Sequence, residues 1–457
     1  MAFPNQRLFL TIDGERGACP TTANSIQTVS DSNDQSIKEQ ILAMGANALS
    51  ASRQLTTFDT EHKNRILRAM ADQLITDEAA ILEANAKDIA AAEENGLTSA
   101  MVDRLRLDPK RLEGIAGGIR QVADLHDPVG EILEEWTRPN GITIRKKRTP
   151  IGVIGIIFES RPNVTSDAAV LCFKTGNAVI LRGGSEAIHS NRAIALSLQT
   201  GGVSEGMPKH AVQLIPFTDR ESVRHMAEMD QYLDLIIPRG GAGLIETVVS
   251  LARMPVIKHF DGICHVYIDS EADFEMAESI TLNSKVQKPS VCNALETLLI
   301  HRDIAAKFAP LIAHSLRENH VQLIGDENFI KILSKADPSI ETLAASEEDW
   351  TTEYLDLILS IKVVDSLADA IGHINHYGSH HSDAIVTASK ENAETFLNEV
   401  DSATVFWNCS TRFSDGEEFG FGAEIGISTD KLHARGPMAL KELCSYKYLV
   451  VGDGQIR

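Results

Sequence analysis

No stretch of the chain approaches the ~18 consecutive apolar residues that cross a bilayer, so no transmembrane helix is expected. Cysteine is sparse and scattered at Cys19, Cys172, Cys264, Cys292, Cys409 and Cys444, with no Cys-x-x-Cys pair. That spacing excludes a disulfide framework and reads as reduced thiols in a cytoplasmic compartment. Positive charge is short as well: 43 Lys and Arg stand against 64 Asp and Glu, for a net −21. Nucleic acid and anionic membranes would be repelled, so neither is expected as a partner. The first 35 residues lack a basic segment followed by an apolar core, so a secretory signal is not expected. Rich in Thr, Ser, Asn, Asp and Gln, residues 1–35 read as a poorly ordered extension. Internal repeats and low-complexity tracts are absent too.

What remains is an ordinary globular composition, 43% hydrophobic and 23% charged over 457 residues, enough for two or three domains. From Ser36 to about Asp124 the apolar period is helical. Ile37, Ile41, Leu42 and Met44 share a face behind a capping Ser36, and Ile66, Leu67, Met70 and Leu74 share another behind Asp59. "GEILEEWTRPNGITIRKKRTP" alternates on either side of Pro139-Asn140-Gly141, the pattern of an exposed hairpin. After Pro150 short Val/Ile/Leu runs take over: "IGVIGIIF", "NAVILRG", "AVQLIPF", "LDLIIPRG" and "PVIKHF", several separated by helical stretches. A second series runs through "CHVYID", "ALETLLIH", "VQLIGD", "LDLILSIKVVD", "SDAIVTAS" and "ATVFWN", with "YKYLVVG" last. Continuous apolar strands alternating with helices predict parallel α/β sheets.

Several motifs carry possible chemistry, each with a plainer alternative. Two glycine corners follow strands, Arg182-Gly183-Gly184 and Arg239-Gly240-Gly241. Backbone N–H groups at a helix start attract phosphate and an adjacent arginine pairs with anions, but either corner alone is also an ordinary turn. "FESRPNVTSDAA" leaves a strand and turns polar, where Arg161 and Asn163 offer donors to an oxyanion, or Asn163 or Ser166 merely caps a helix. His373, His376, His380 and His381 crowd one segment without an acidic or cysteine partner at matching spacing, so no metal is expected. His433 and Arg435, in a glycine-rich C-terminal stretch, are candidates to meet an anion or parts of a structured connection. Cys292 follows "QKPS" at a loop-to-strand junction. Free cysteines are mostly inert core residues, but Lys285 and Lys288 would favour a thiolate here if they stood near in space.

Taken together, "GVIGIIFESRPNVTSDAA", "LCFKTGNAVILRGGSEAIHSN", "DLIIPRGGAGLI", "PVIKHFDGICHVYID", "KPSVCNALETLLIH", "EYLDLILSIKV", "HINHYGSHHSDAIVT" and "FGAEIGISTDKLHARGPM" resemble the gamma-glutamyl phosphate reductase family, glutamate-5-semialdehyde dehydrogenases of the aldehyde dehydrogenase superfamily. The likeness runs in order from about Ser36 to the end. It implies an aldehyde-dehydrogenase-like α/β fold with three parts. A Rossmann-like NADPH domain would take residues 36–130 and 150–262, a catalytic domain 263–402, and a small extended oligomerisation domain 131–149 and 403–457. A cytoplasmic homo-oligomer is implied, acting on L-glutamate 5-phosphate, with a glutamate kinase as a further partner.

By the same resemblance Cys292 matches the nucleophile and Asn163 the oxyanion-holding amide. Arg182 falls where a lysine holds the adenosine ribose, the Gly240-Gly241 corner where a loop covers the pyrophosphate, and Glu353 where a glutamate holds the nicotinamide ribose. Gly183 and Gly184 complete the cofactor set, and Arg161, His433 and Arg435 are the candidates for the substrate's anionic groups. One departure is informative. Where ordinary aldehyde dehydrogenases carry a general-base glutamate, this chain reads His259-Phe260-Asp261-Gly262. That base activates the water that hydrolyses a thioester. Its absence favours reduction of an activated acyl group over oxidation of an aldehyde to an acid.

Overall fold

A computed structural model describes residues 23–159, 161–258 and 261–457, with side chains from Asp34 onward, Ala100 apart. The chain enters through α1 (Ala23–Leu55), α2 (Thr60–Thr76), α3 (Glu78–Glu94), α4 (Ser99–Leu105) and α5 (Pro109–Asp124). Ser36 lies inside α1 and does not cap it. The extension expected over residues 1–35 thus falls partly outside the described residues and partly on this helix. Asp59 does start α2, its carboxylate accepting from the His62 N–H at 2.8 Å. Ile66, Leu67, Met70 and Leu74 form the buried face of α2.

The first parallel sheet has the order β5-β4-β3-β6, built from β3 (Val153–Phe158), β4 (Ala178–Arg182), β5 (Val212–Leu214) and β6 (Leu235–Arg239). Helix α6 (Asn163–Lys174) links β3 to β4 and α7 (Ile188–Ser204) links β4 to β5. Helix α8 (Glu221–Glu228) then returns across the sheet to β6, on the far side of β3, and α9 (Ala242–Leu251) follows. The direction of winding therefore reverses between β3 and β6, where open α/β sheets form a ligand crevice at their carboxyl ends. "PVIKHF" reads as a strand, yet only Val256 bridges to Ile236. Pro255 offers no N–H to a ladder, and the chain leaves the sheet at once.

The second parallel sheet has the order β10-β9-β11-β8-β7-β12-β13. Its strands are β7 (Cys264–Ile268), β8 (Leu295–His301), β9 (Gln322–Gly325), β10 (Leu343–Ala344), β11 (Ile358–Val364), β12 (Ser382–Val386) and β13 (Thr404–Trp407). Helices α10 (Phe274–Val286), α11 (Arg302–Glu318) and α12 (Glu327–Ala336) pack with one core cluster, and α13 (Leu367–Tyr377) and α14 (Lys390–Glu399) with another. Covered on both faces, the central strands read as unbroken hydrophobic runs.

The predicted hairpin forms β1 (Ile132–Thr137) and β2 (Thr143–Pro150), turning at Gly141 with φ +84°. Strand β16 (Cys444–Val451) adds to β2, making a three-stranded antiparallel ribbon. A small pair, β14 (Gly426–Ser428) and β15 (Gly436–Met438), lies just before it. Ile425, Ala434, Met438, Leu440 and Leu443 from this C-terminal segment join the core of the four-stranded sheet, so the end of the chain is stitched to the first unit.

Candidate active site

Cys292 sits in the loop between α10 and β8, half-buried, with backbone contacts holding it from several sides. Asn293, its neighbour, donates from Nδ2 to the Ser414 carbonyl at 2.9 Å, and its own carbonyl accepts from Thr411 Oγ1 at 2.7 Å. Cys264, on β7, donates its thiol to the Cys292 carbonyl at 3.2 Å. Gly262 lies so close that a Cβ there would stand 1.9 Å from the Cys292 carbonyl oxygen. Only glycine lets the two backbones meet.

Burial pushes the Cys292 thiol up to about 11; Arg239 pulls the other way, while Glu353 and Glu424 reinforce the rise. The cation acting on the sulfur is thus Arg239, from the glycine corner after β6. The two lysines do not serve as expected. Lys285 is wholly buried, its Nζ 2.7 Å from Glu296, and Lys288 is exposed. An ammonium taken out of water needs its partner, and Lys285 spends its charge inside the sheet. Glu296, pushed up to about 7 by burial against the pull of Lys285, also accepts from the Leu355 N–H at 3.3 Å. That bond anchors the segment carrying Glu353. Glu353 in turn accepts from the Gly262 N–H at 2.9 Å, and burial raises its carboxyl above the ordinary value. A buried ion pair, a glutamate and a glycine therefore stand behind the cysteine loop. His259 and Phe260, in the segment that departs from ordinary aldehyde dehydrogenases, lie outside the described residues. Asp261 beside them is half-buried.

The two glycine corners end β4 and β6, on either side of β3. Arg182 Nη2 donates to the Thr218 carbonyl at 2.9 Å. Gly183 and Gly184 are buried and lead into the short turn Ser185–Ala187 before α7. Gly240 and Gly241 lead into α9. The Gly241 N–H donates to a carboxylate oxygen of Glu159 at 3.0 Å. An oxyanion thus already sits at this helix start, the chemistry a dinucleotide pyrophosphate requires. Arg182, Gly183 and Gly184 thus end β4, and Gly240 and Gly241 follow β6, at the carboxyl ends of the two strands that flank β3, where N–H groups at helix starts suit a phosphate.

Asn163 opens α6 just beyond β3. It caps nothing: Pro162 holds the cap position, and the Asn163 amide donates to Asp167 at 2.8 Å. Burial pushes the Asp167 carboxyl up to about 6, although solvent reaches it. Arg161 reaches solvent two residues earlier. Burial and the neighbouring guanidiniums of Arg104 and Arg239 together lower its basicity. The charge of Arg239 acts both on Arg161 and on the Cys292 thiol. Arg435 and His433 point to other duties. Arg435 donates to Asp401, carbonyl at 3.1 Å and carboxylate at 2.9 Å. His433 shares a hydrogen bond with the Glu442 carbonyl at 2.7 Å and borders an apolar cleft with Ile151, Val256 and Leu432. The four clustered histidines disperse. His373 Nδ1 meets Lys362 Nζ at 3.3 Å, His380 meets the Asp401 carbonyl at 2.6 Å, His381 is buried, and His376 lies beside Tyr377 on α13.

Sequence reasoning missed Arg412 and Glu424 as neighbours of the thiol, and named Arg239 only as an anion-pairing arginine beside a glycine corner. Arg412 and Glu424 are separated from Cys292 by more than a hundred residues, and no local pattern marks them.

The chain has many relatives of known family. The aldehyde dehydrogenase family matches residues 15–328. A gamma-glutamyl phosphate reductase of Geobacter metallireducens is 52% identical over 92% of this chain and 99% of its own length. One from Agathobacter rectalis is 54% identical over 90% of this chain and 98% of its own. The crystal structure of gamma-glutamyl phosphate reductase from Thermotoga maritima superposes with a TM-score of 0.89 at 43% identity, covering 91% of this chain and 99% of that one. An acetylating aldehyde dehydrogenase from Geobacillus thermoglucosidasius, 17% identical, shares the fold with a TM-score of 0.66 over 93% of this chain and 99% of its own. With its parallel sheets, its glycine corners and its cysteine at the loop before β8, the chain belongs to the gamma-glutamyl phosphate reductases of the aldehyde dehydrogenase family, a family of oxidoreductases.

Proposed function

We propose that the chain reduces L-glutamate 5-phosphate to L-glutamate 5-semialdehyde and phosphate with NADPH, the second step of proline biosynthesis from glutamate. The observation that carries this reading is the placement of Cys292: half-buried in the loop before β8, its backbone fixed by its neighbours, and with the charge of Arg239 acting on its thiol. As thiolate it attacks the acyl carbon, phosphate leaves, and a thioester forms. Asn163, its amide steadied by Asp167, donates to the oxyanion. The reduced dinucleotide, when bound, supplies the hydride. Arg182, Gly183, Gly184, Gly240 and Gly241 would hold it, with Glu353 toward its ribose. The hemithioacetal then releases the aldehyde and restores the sulfur. Arg239 is the group that favours the thiolate against burial and the two neighbouring glutamates.

The proposed division is cofactor binding in residues 36–130 and 150–262, catalysis in 263–402, and oligomer contacts in 131–149 and 403–457, with β13 of the last segment pairing into the seven-stranded sheet of the catalytic unit. The ribbon supports a homo-oligomer, since it exposes Ile132, Leu133, Trp136, Tyr446, Tyr448, Val450 and Val451. A glutamate kinase is the partner that would deliver the labile acyl phosphate in the cytoplasm.

The test is the reverse reaction: semialdehyde, phosphate and NADP⁺ or NAD⁺, followed by absorbance of the reduced cofactor. Strict phosphate dependence and preference for NADP⁺ are expected. Aldehyde oxidation that ignores phosphate would overturn the substrate, and a preference for NAD⁺ would overturn the cofactor.

A further inference from the structure

We infer that Arg239 and Arg412, together with Arg161, form the receiving site for the substrate's phosphoryl group; this rests on the reading above. The three come from distant parts of the chain. Arg239 ends β6, and its guanidinium lies over Gly426. That glycine has φ +151°, and a Cβ there would stand 2.3 Å from Nη1. Arg412 belongs to the turn Thr411–Phe413, which is bonded directly to Asn293 next to the nucleophile. Its Nε donates to Gln287 at 2.8 Å, and its two Nη groups have no hydrogen-bond partner among the described residues. Arg161 follows β3 and crowds Arg239 closely enough for each to feel the other's charge.

None of the three makes an ion pair among the described residues, in a chain with a net charge of −21. Elsewhere the acidic excess is used freely: Arg148 takes Glu131, Arg120 takes Asp72, and Arg224 takes Asp34. The acids around the site are already engaged, Asp415 beside Arg412 by the Glu417 N–H at 2.9 Å. Glu353 is bonded to the Gly262 N–H and Glu424 to the Gly416 N–H, both at 2.9 Å. Guanidiniums without an ion pair, of which Arg161 and Arg239 repel one another, are costly unless an anion of more than one charge arrives, and the planar fork of arginine suits a phosphoryl group. In the first step the C–S bond forms as the C–O bond to the phosphoryl group breaks, and the electron pair departs on the phosphate oxygen. Arg239, whose charge acts on the Cys292 thiol, and Arg412, on the turn bonded to Asn293, are the cations offered to that charge.

In the reverse reaction, Arg239→Gln and Arg412→Gln are expected to raise the KM for phosphate at least about tenfold, leaving the KM for the oxidised cofactor within about twofold. Arg239→Lys should recover part of the loss. Inorganic phosphate should also slow alkylation of Cys292 by iodoacetamide in the wild-type enzyme, and fail to do so in Arg239→Gln. An unchanged phosphate KM, or a rise confined to the aldehyde, would overturn the assignment and make the arginines carboxylate binders. Wild-type turnover independent of phosphate would instead sink the substrate reading. If a glutamine variant does not fold, the wild-type protection experiment decides, and absence of protection overturns the proposal.

Discussion

In the four-stranded sheet the carboxyl ends of the strands finish in Arg182, Arg239 and two glycine corners, and their polar groups face an open crevice. At the seven-stranded sheet polar groups turn inward: Lys285 of α10 pairs with Glu296 and His265 hydrogen-bonds Asp383, all with wholly buried side chains. Both sheets are runs of Val, Ile and Leu wrapped by helices, so their difference lies in where charge is left unsatisfied. In the first sheet Arg182 is bonded to the Thr218 carbonyl, and Arg239 has no ion pair among the described residues. The second pairs its charges to hold one loop still, through Glu296 to Leu355, Glu353 to Gly262, and Gly262 to Cys292. Positioning on one side and binding on the other meet at a single sulfur.

That contrast can be broken by experiment, and the largest effect is expected at the sulfur itself. Cys292→Ala should lower turnover by at least about a thousandfold while cofactor binding, followed by fluorescence titration, stays intact. Turnover within tenfold of wild type would place the nucleophile elsewhere. Next comes the inward-facing pair. Lys285→Met strands Glu296 without a partner and should cost about 3–5 kcal/mol in a urea denaturation series. The double change Lys285→Met with Glu296→Leu should regain most of that stability and still lose activity, because the Leu355 N–H has lost its acceptor. If the double variant were as active as wild type, the pair would be a packing feature alone.

Gly262→Ala should reduce kcat/KM by about a hundredfold, since the added methyl drives the cysteine loop out of line. The pH dependence of alkylation sharpens the electrostatic side. With the Cys292 thiol pushed up to about 11, the rate should climb about tenfold per pH unit from pH ~7 to ~10 without levelling. Arg239→Gln should slow it further at every pH, because removing the cation raises the thiol again. A plateau near pH ~8.5, the range of an ordinary thiol, would show that burial does not govern it. The smallest effect belongs to the solvent. Lys331→Ala on α12 breaks an exposed pair with Glu327 and should change stability by less than about 0.5 kcal/mol, well below the inward pair.

Much of this could be read before any coordinates. The alternation of apolar runs with helical stretches announced parallel sheets, since a strand covered on both faces has no polar face to show. Asp59, the hairpin at Gly141 and the glycine corners are local signals with local causes, and each appears where its chemistry placed it. Local reasoning failed where a long-range partner decided. Lys285 sits close to Cys292 in the chain and looked like its activating cation, yet the partner it found is Glu296, across the loop in β8. "PVIKHF" had strand composition, but Pro255 left it one bridge.

By itself the sequence determined the kind of element at nearly every position, and it singled out a cysteine at a loop before a buried strand. Hydrophobic period, capping chemistry and turn residues act over a few residues and are written in order along the chain. Only the tertiary structure decided which charges face that cysteine. Arg239, Arg412, Glu353 and Glu424 come together through the winding of two sheets and a C-terminal return, and an electrostatic field depends on distance in space, which chain order does not encode.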